Sequence, residues 1–178
     1  MRIIAGEAKG RRLAAPRSGT RPFTGRAKEA VFSSLHSLVS GAAVLDLFAG
    51  SGSLGLEALS RGAESVVFVE QDRDAAAVLA ANVDAVDLGG TIVRRDATAF
   101  LQRDGGTYDL VFVDPPYAFE DREVESVLAL ISQRVSDEGT VVLHRRFGGT
   151  APESDNLRCT DRRRYGDSEI WIFEKEQL

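Results

Sequence analysis

Apolar positions follow two rhythms along this chain, and one gives way to the other near residue 43. Before it, Ala27, Ala30, Val31, Leu35 and Leu38 recur at helical spacing, which predicts one amphipathic helix over residues 24–39 capped by Thr24. Beyond it, short runs that are apolar throughout alternate with helical patterns. Strands are predicted at 44–48, 65–70, 91–95, 110–114 and 140–144, and helices at 54–61, 73–86, 98–102 and 122–134. Strands with no polar face, separated by helices, imply a parallel sheet covered on both sides. Two polar-flanked strands at 157–162 and 168–173, with Trp171 as core, follow the last helix directly and suggest an antiparallel edge. The expected fold is therefore α/β and Rossmann-like, a mostly parallel seven-stranded sheet with an antiparallel C-terminal edge. Upstream, the Arg2-Ile-Ile-Ala string, the Gly-bearing stretch 6–10 and Arg11-Arg12-Leu13 read as a small β-hairpin. The chain then divides into a basic hairpin arm over 1–23 and one domain over 24–178, with residues 24–40 as its leading helix. Residues 147–156, rich in Gly and Pro, read as a surface loop.

Charge changes this picture more than composition does. A chain of 178 residues, 43% apolar and 28% charged, suits one soluble globular domain. The single cysteine, Cys159, rules out a disulfide framework, and with two scattered histidines it offers no metal-ligand cluster, so no metal is expected. No apolar run reaches membrane-spanning length and the N-terminus lacks the apolar core of a secretory signal; the expectation is a cytoplasmic protein acting as a monomer. The net charge of −5 hides an asymmetry: Arg2, Lys9, Arg11, Arg12, Arg17, Arg21, Arg26 and Lys28 face one acid, Glu7, within residues 1–28, which hold +7, while the rest holds −12. Such a basic segment marks a polyanion partner; a solvated tail or a transit peptide shares the composition, although a hairpin pattern differs from the amphipathic helix that a transit peptide needs. Arg145, Arg146, Arg162, Arg163 and Arg164 either extend this surface or form a solvated face. A cofactor pocket built from the strands should not depend on the arm.

Two stretches carry candidate chemistry. The first, Asp46-Leu-Phe48-Ala49-Gly50-Ser51-Gly52-Ser-Leu-Gly55, lies between the first strand and its helix, and Glu70 ends the next strand, which formally satisfies the dinucleotide fingerprint. Asp46 argues against a dinucleotide, because a carboxylate there would repel a pyrophosphate at the helix N-terminus. It suits a cationic ligand such as S-adenosyl-L-methionine, which carries an ammonium and a sulfonium. Gly50 and Gly52 allow close backbone approach, and Glu70 can accept from two ribose hydroxyls. Asp96 either meets the adenine amine or caps the helix after it. Gln71, Ala97 and Asp114 complete the candidate cofactor set. The second stretch, Asp114-Pro115-Pro116-Tyr117, ends an apolar strand with a stiff corner that bears an acid and a ring, and Pro115 holds Asp114 extended. His36 and His144 read as surface or internally satisfied residues.

In this order, the Asp46 to Gly55 loop, Glu70, Asp96 and the Asp114 corner resemble class I S-adenosylmethionine-dependent methyltransferases that modify exocyclic amines of bases. More narrowly, Met1-Arg-Ile-Ile-Ala-Gly6, Gly10-Arg-Arg-Leu13, Arg21-Pro22, residues 26–32, 46–52, 54–63 and 114–117, and Tyr165-Gly166 resemble the bacterial 16S rRNA guanine-N2 methyltransferase family. Gly25 departs from it, standing where aspartate is usual. The resemblance implies transfer to N2 of a guanine in 16S rRNA, guanine 966 in that family, within the small ribosomal subunit or its assembly intermediate. An amine delocalised into a ring is a poor nucleophile and far too weak an acid for a carboxylate to deprotonate. Asp114 and the Pro115 carbonyl would instead each accept one N–H and hold the nitrogen pyramidal, while Tyr117 stacks on the unstacked base. An adenine-N6 DNA methyltransferase could use the same corner, but the chain has little room for a target-recognition domain. A silent RNA-binding assembly factor would need neither the loop nor the corner. An NAD-dependent oxidoreductase is opposed by Asp46 and by the lack of a proton-relay pair.

Overall fold

The structure, a computed structural model, describes residues 1–16 and 25–176. Seven strands form one sheet: β1 (Ala43–Leu47), β2 (Ser65–Val69), β3 (Thr91–Val93), β4 (Tyr108–Val113), β5 (Val135–Arg146), β6 (Leu157–Tyr165) and β7 (Ser168–Lys175). The helices are α1 (Gly25–Leu35), α2 (Ser53–Ser60), α3 (Arg73–Val86), α4 (Ala97–Leu101) and α5 (Asp121–Ile131). Strand order is β3-β2-β1-β4-β5-β7-β6. Pairing is parallel from β3 through β5 and antiparallel at β7 and β6, the mostly parallel sheet with an antiparallel edge that the sequence pattern predicts. Among the described residues no helix is long and apolar enough to cross a membrane.

Successive residues of each central strand point to opposite faces, and both faces are covered. Val44 joins Phe32, Leu56, Phe68 and Leu79 on the face packed by α1, α2 and α3. Leu45 and Leu47 join Phe100, Leu128 and Trp171 on the face packed by α4 and α5. The edge differs in character: β6 exposes Arg158, Arg162 and Arg164, charges that discourage pairing with another chain.

Several boundaries depart from the sequence expectation. The leading helix stops at Leu35 and tightens into a 3-10 turn at His36–Leu38, with His36 in the left-handed region at φ 38°. Thr24, expected to cap it, lies outside the described residues. β5 begins at Val135 rather than at 140, because Val135 pairs with Tyr108 and the extra residues between Val135 and Thr140, the polar run 136–138 among them, are taken up as an irregularity in β5 where β4 passes from Tyr108 to Leu110.

The arm is more deeply built in than its charge suggests. Arg2 and Arg12 form an antiparallel bridge, and the Ile3 N–H donates to the Arg11 carbonyl at 2.9 Å, which gives a minimal hairpin. Ile3, Ala8 and Leu13 are buried and belong to the same core as Phe32 and Leu56. Beneath them Glu57 of α2, fully buried, accepts from the backbone N–H groups of Ile4 (2.8 Å) and Ala5 (3.1 Å) and pairs with Lys28 (3.1 Å) and Arg61 (2.8 Å).

Candidate active site

β1 and β4 are neighbours although β2 and β3 intervene in the chain, so the sheet order switches between them, where open α/β sheets leave a crevice at the carboxyl ends of their strands. Register aligns Leu47 with Val113, and both chains leave the sheet at one level, with the Asp114 N–H donating to the Leu47 carbonyl at 3.4 Å. The glycine loop and the proline corner are therefore side by side. Phe48 after β1 packs edge-on against Phe119 beyond the corner, ring centroids 5.3 Å apart.

The loop needs its glycines for distinct reasons. Gly50 and Gly52 are left-handed, φ 56° and 79°. A Cβ on Gly52 would lie 2.4 Å from Leu79, and one on Gly55 would lie 2.3 Å from Phe68, whereas one on Gly50 would enter open space. Asp46 lies under the loop, 1% exposed, and accepts from the Gly55 N–H at 2.8 Å. Burial pushes its carboxyl up to about 8 against the pull of that N–H, and the nearby charges of Asp114 and Glu70 add to the rise. Three acids thus converge on one crevice, a donor set that favours a cation. Glu70 accepts from the N–H groups of Gly50 and Asp72, both at 2.8 Å, which leaves each carboxylate oxygen a further lone pair. These features fit S-adenosylmethionine: an acidic floor, an open approach at Gly50 and acceptors on Glu70.

Other expected cofactor residues divide. Asp96 caps α4, accepting from the Ala99 N–H at 2.9 Å, and thus serves as a helix cap at least. Ser51 is buried and its carbonyl accepts from Asn82 at 2.9 Å; Ala49 and Ala97 are buried too, while Gln71 is exposed. At the corner Pro115 is buried and Tyr117 half-buried. The Asp114 carboxylate accepts from Nδ1 of His144 at 2.7 Å, and the Tyr117 ring lies 6.2 Å from that imidazole. The expectation for His144 extended no further than a surface or satisfied side chain. Half of the signal was in the sequence, since the predicted fourth and fifth strands end in Asp114 and His144; that those strands are adjacent comes from the sheet pairing.

The basic residues also divide. Arg2, Lys9, Arg12 and Arg26 are exposed, and Arg2, Lys9 and Arg12 line a cleft of about 740 Å³ whose wall includes Ser53 at the start of α2. Arg11 is exposed but donates to the Ala85 carbonyl. Arg17 and Arg21 lie outside the described residues. Lys28 must be corrected: it is 2% exposed, and its ammonium is committed to Glu57, the Arg2 carbonyl (3.0 Å) and Ser53 (3.2 Å), so it has no free face for RNA. The expected independence of the pocket from the arm also fails, because Asn82 ties Ala14 of the arm (2.8 Å) to Ser51 of the loop.

Sheet order, the loop at the switch point and the corner beside it define a class I methyltransferase fold. The chain belongs to the family described as Conserved hypothetical protein 95, Cons_hypoth95, which it matches over residues 1–174. It is 35% identical to YlbH of Bacillus subtilis over 185 aligned positions, 98% of this chain and 99% of that one. It is also 43% identical to Ribosomal RNA small subunit methyltransferase D of Escherichia coli over 119 positions, which cover 66% of this chain and 60% of that protein. The solved structure of yhhF from Escherichia coli superposes with a TM-score of 0.89 at 32% identity, covering 99% of this chain and 98% of that one.

Proposed function

We propose that this protein transfers a methyl group from S-adenosyl-L-methionine to the exocyclic N2 of a guanine in 16S rRNA, with the small ribosomal subunit or its assembly intermediate as substrate. The observation that carries the reading is the register of β1 and β4, which sets the acid-floored glycine loop against the Asp114 corner. The relative named Ribosomal RNA small subunit methyltransferase D supports the choice of rRNA. In this reading the chain acts as a cytoplasmic monomer, residues 1–23 hold RNA and residues 24–178 carry the reaction.

When bound, S-adenosylmethionine would supply the methyl from its sulfonium sulfur and keep the S–C electron pair as a neutral thioether. The loop over Asp46 holds its amino-acid end and Glu70 its ribose. Asp114 and the Pro115 carbonyl accept the two amine N–H groups, so the nitrogen lone pair points along the line of displacement. Asp114 would pass to solvent the one proton that the methylated nitrogen must lose. Tyr117 supplies a face on which the flipped base stacks, and exposed Arg2, Lys9, Arg12 and Arg26 contact flanking phosphates. Mass mapping of modified nucleosides in small-subunit rRNA from cells with and without the protein tests this: one N2-methylguanine should vanish with the protein, and an unchanged set of modified guanines would refute it.

A further inference from the structure

We infer that His144 is a positioning residue for the reaction: its ring holds one oxygen of Asp114 so that the other is presented to the substrate amine. This inference rests on the role proposed above for Asp114. Val113 pairs with Leu143 in the parallel register of β4 and β5, so Asp114 and His144 leave adjacent strands side by side, with Nδ1 and Oδ1 2.7 Å apart. The acid is reached by solvent and the imidazole is not: their side chains are 21% and 3% exposed. Since a carboxylate only accepts, Nδ1 carries the proton in this contact.

The position makes little sense as packing alone. Val141, Val142 and Leu143 are buried and apolar, and an aliphatic residue next in line would avoid the cost of taking an imidazole out of water. What the imidazole adds is a fixed donor facing Asp114. That donor matters because it fixes one of the two carboxylate oxygens, and a carboxylate partly reached by solvent could otherwise rotate away from the crevice. A displacement of about 1 Å in a reacting geometry costs on the order of 100-fold in rate.

The test compares three substitutions at His144, each checked for folding by thermal melting and for S-adenosylmethionine affinity by calorimetry. His144→Leu should lower kcat about 10- to 100-fold while KM for rRNA and cofactor affinity stay near those of the parent. His144→Asn puts an amide N–H close to the place of Nδ1 and should recover most of the lost rate. His144→Gln carries its amide one bond too far and should not, which keeps the comparison decisive even if the leucine variant does not fold. Full activity in His144→Leu, or equal rates in the asparagine and glutamine variants, would overturn the inference. Asp114→Ala is measured alongside: if it is inactive while His144→Leu is fully active, only the role of His144 falls, whereas activity in Asp114→Ala refutes the proposed chemistry itself.

Discussion

Replacing Glu57 with glutamine should destabilise this protein more than any exposed charge substitution. The carboxylate is fully buried and accepts four donors: Ala5 N–H and Arg61 on one oxygen, Ile4 N–H and Lys28 on the other. Glutamine keeps the shape but turns one oxygen into an NH2 group that faces two donors, and it removes the countercharge of a buried lysine. Lys28 already has its pKa lowered by burial, an effect that Glu57 opposes. Breaking a buried pair from one side costs about 3–5 kcal/mol. For a chain of this size each kcal/mol moves Tm by about 2–4 °C, which gives a fall of roughly 6–20 °C. Scanning calorimetry of the parent and Glu57→Gln reads this directly. Glu174→Gln serves as the control, since its 3.5 Å pair with Arg158 is more than half exposed and should be worth under about 1 kcal/mol. Adding Lys28→Met to Glu57→Gln should recover part of the loss, because the stranded charge is gone. If Glu57→Gln melts no lower than Glu174→Gln, Glu57 does not pin the arm to α2.

Glu70→Ala should weaken S-adenosylmethionine binding by about 1–3 kcal/mol, the cost of removing charged hydrogen bonds; unchanged affinity by calorimetry would contradict the ribose placement. Asp46 sets a pH dependence: with its carboxyl at about 8 in the free protein and near 3.8 when unfolded, the native state keeps a proton that the unfolded chain has released, so stability falls as pH rises through that interval. A cationic ligand favours the ionised form, so cofactor affinity should rise between about pH 6 and 8 with proton uptake by buffer, and Asp46→Asn should flatten the profile; equal slopes would contradict the acidic-floor argument. The arm is best tested without deletion, because Ile3 and Leu13 are core residues. Changing Arg2, Lys9 or Arg12 to glutamate should each reduce the slope of log affinity for rRNA against log salt by about 0.7–0.9 in filter binding, and parallel lines would remove that residue from the interface.

Local pattern carried most of the fold. Apolar strands between helices predict a parallel sheet because a strand buried on both faces has no polar alternation to show, and the same pattern gives no strand order. Order came only from tertiary pairing, and it is the β1–β4 adjacency that makes a site from two stretches 68 residues apart, Asp46 and Asp114. The glycine loop and the corner were visible because they break the pattern that surrounds them. Lys28 was misassigned because charge counting cannot distinguish an exposed lysine from one whose countercharge, Glu57, is 29 positions away on another helix. The sequence held only part of a clue, one ionisable side chain in the run Ser-Leu-Gly-Leu-Glu-Ala-Leu-Ser; that all eight residues are buried, so that Glu57 had to find an opposite charge, is seen only in the fold.

The central claim is that Asp114 presents the amine of a guanine to the methyl donor, and methyl transfer from labelled S-adenosylmethionine to small-subunit rRNA prepared without this protein tests it most directly. The parent should deliver label that digests to N2-methylguanosine, and Asp114→Ala, with the parent's melting temperature and cofactor affinity, should deliver none. Label of equal yield from Asp114→Ala, or label recovered in N6-methyladenosine, would contradict the account.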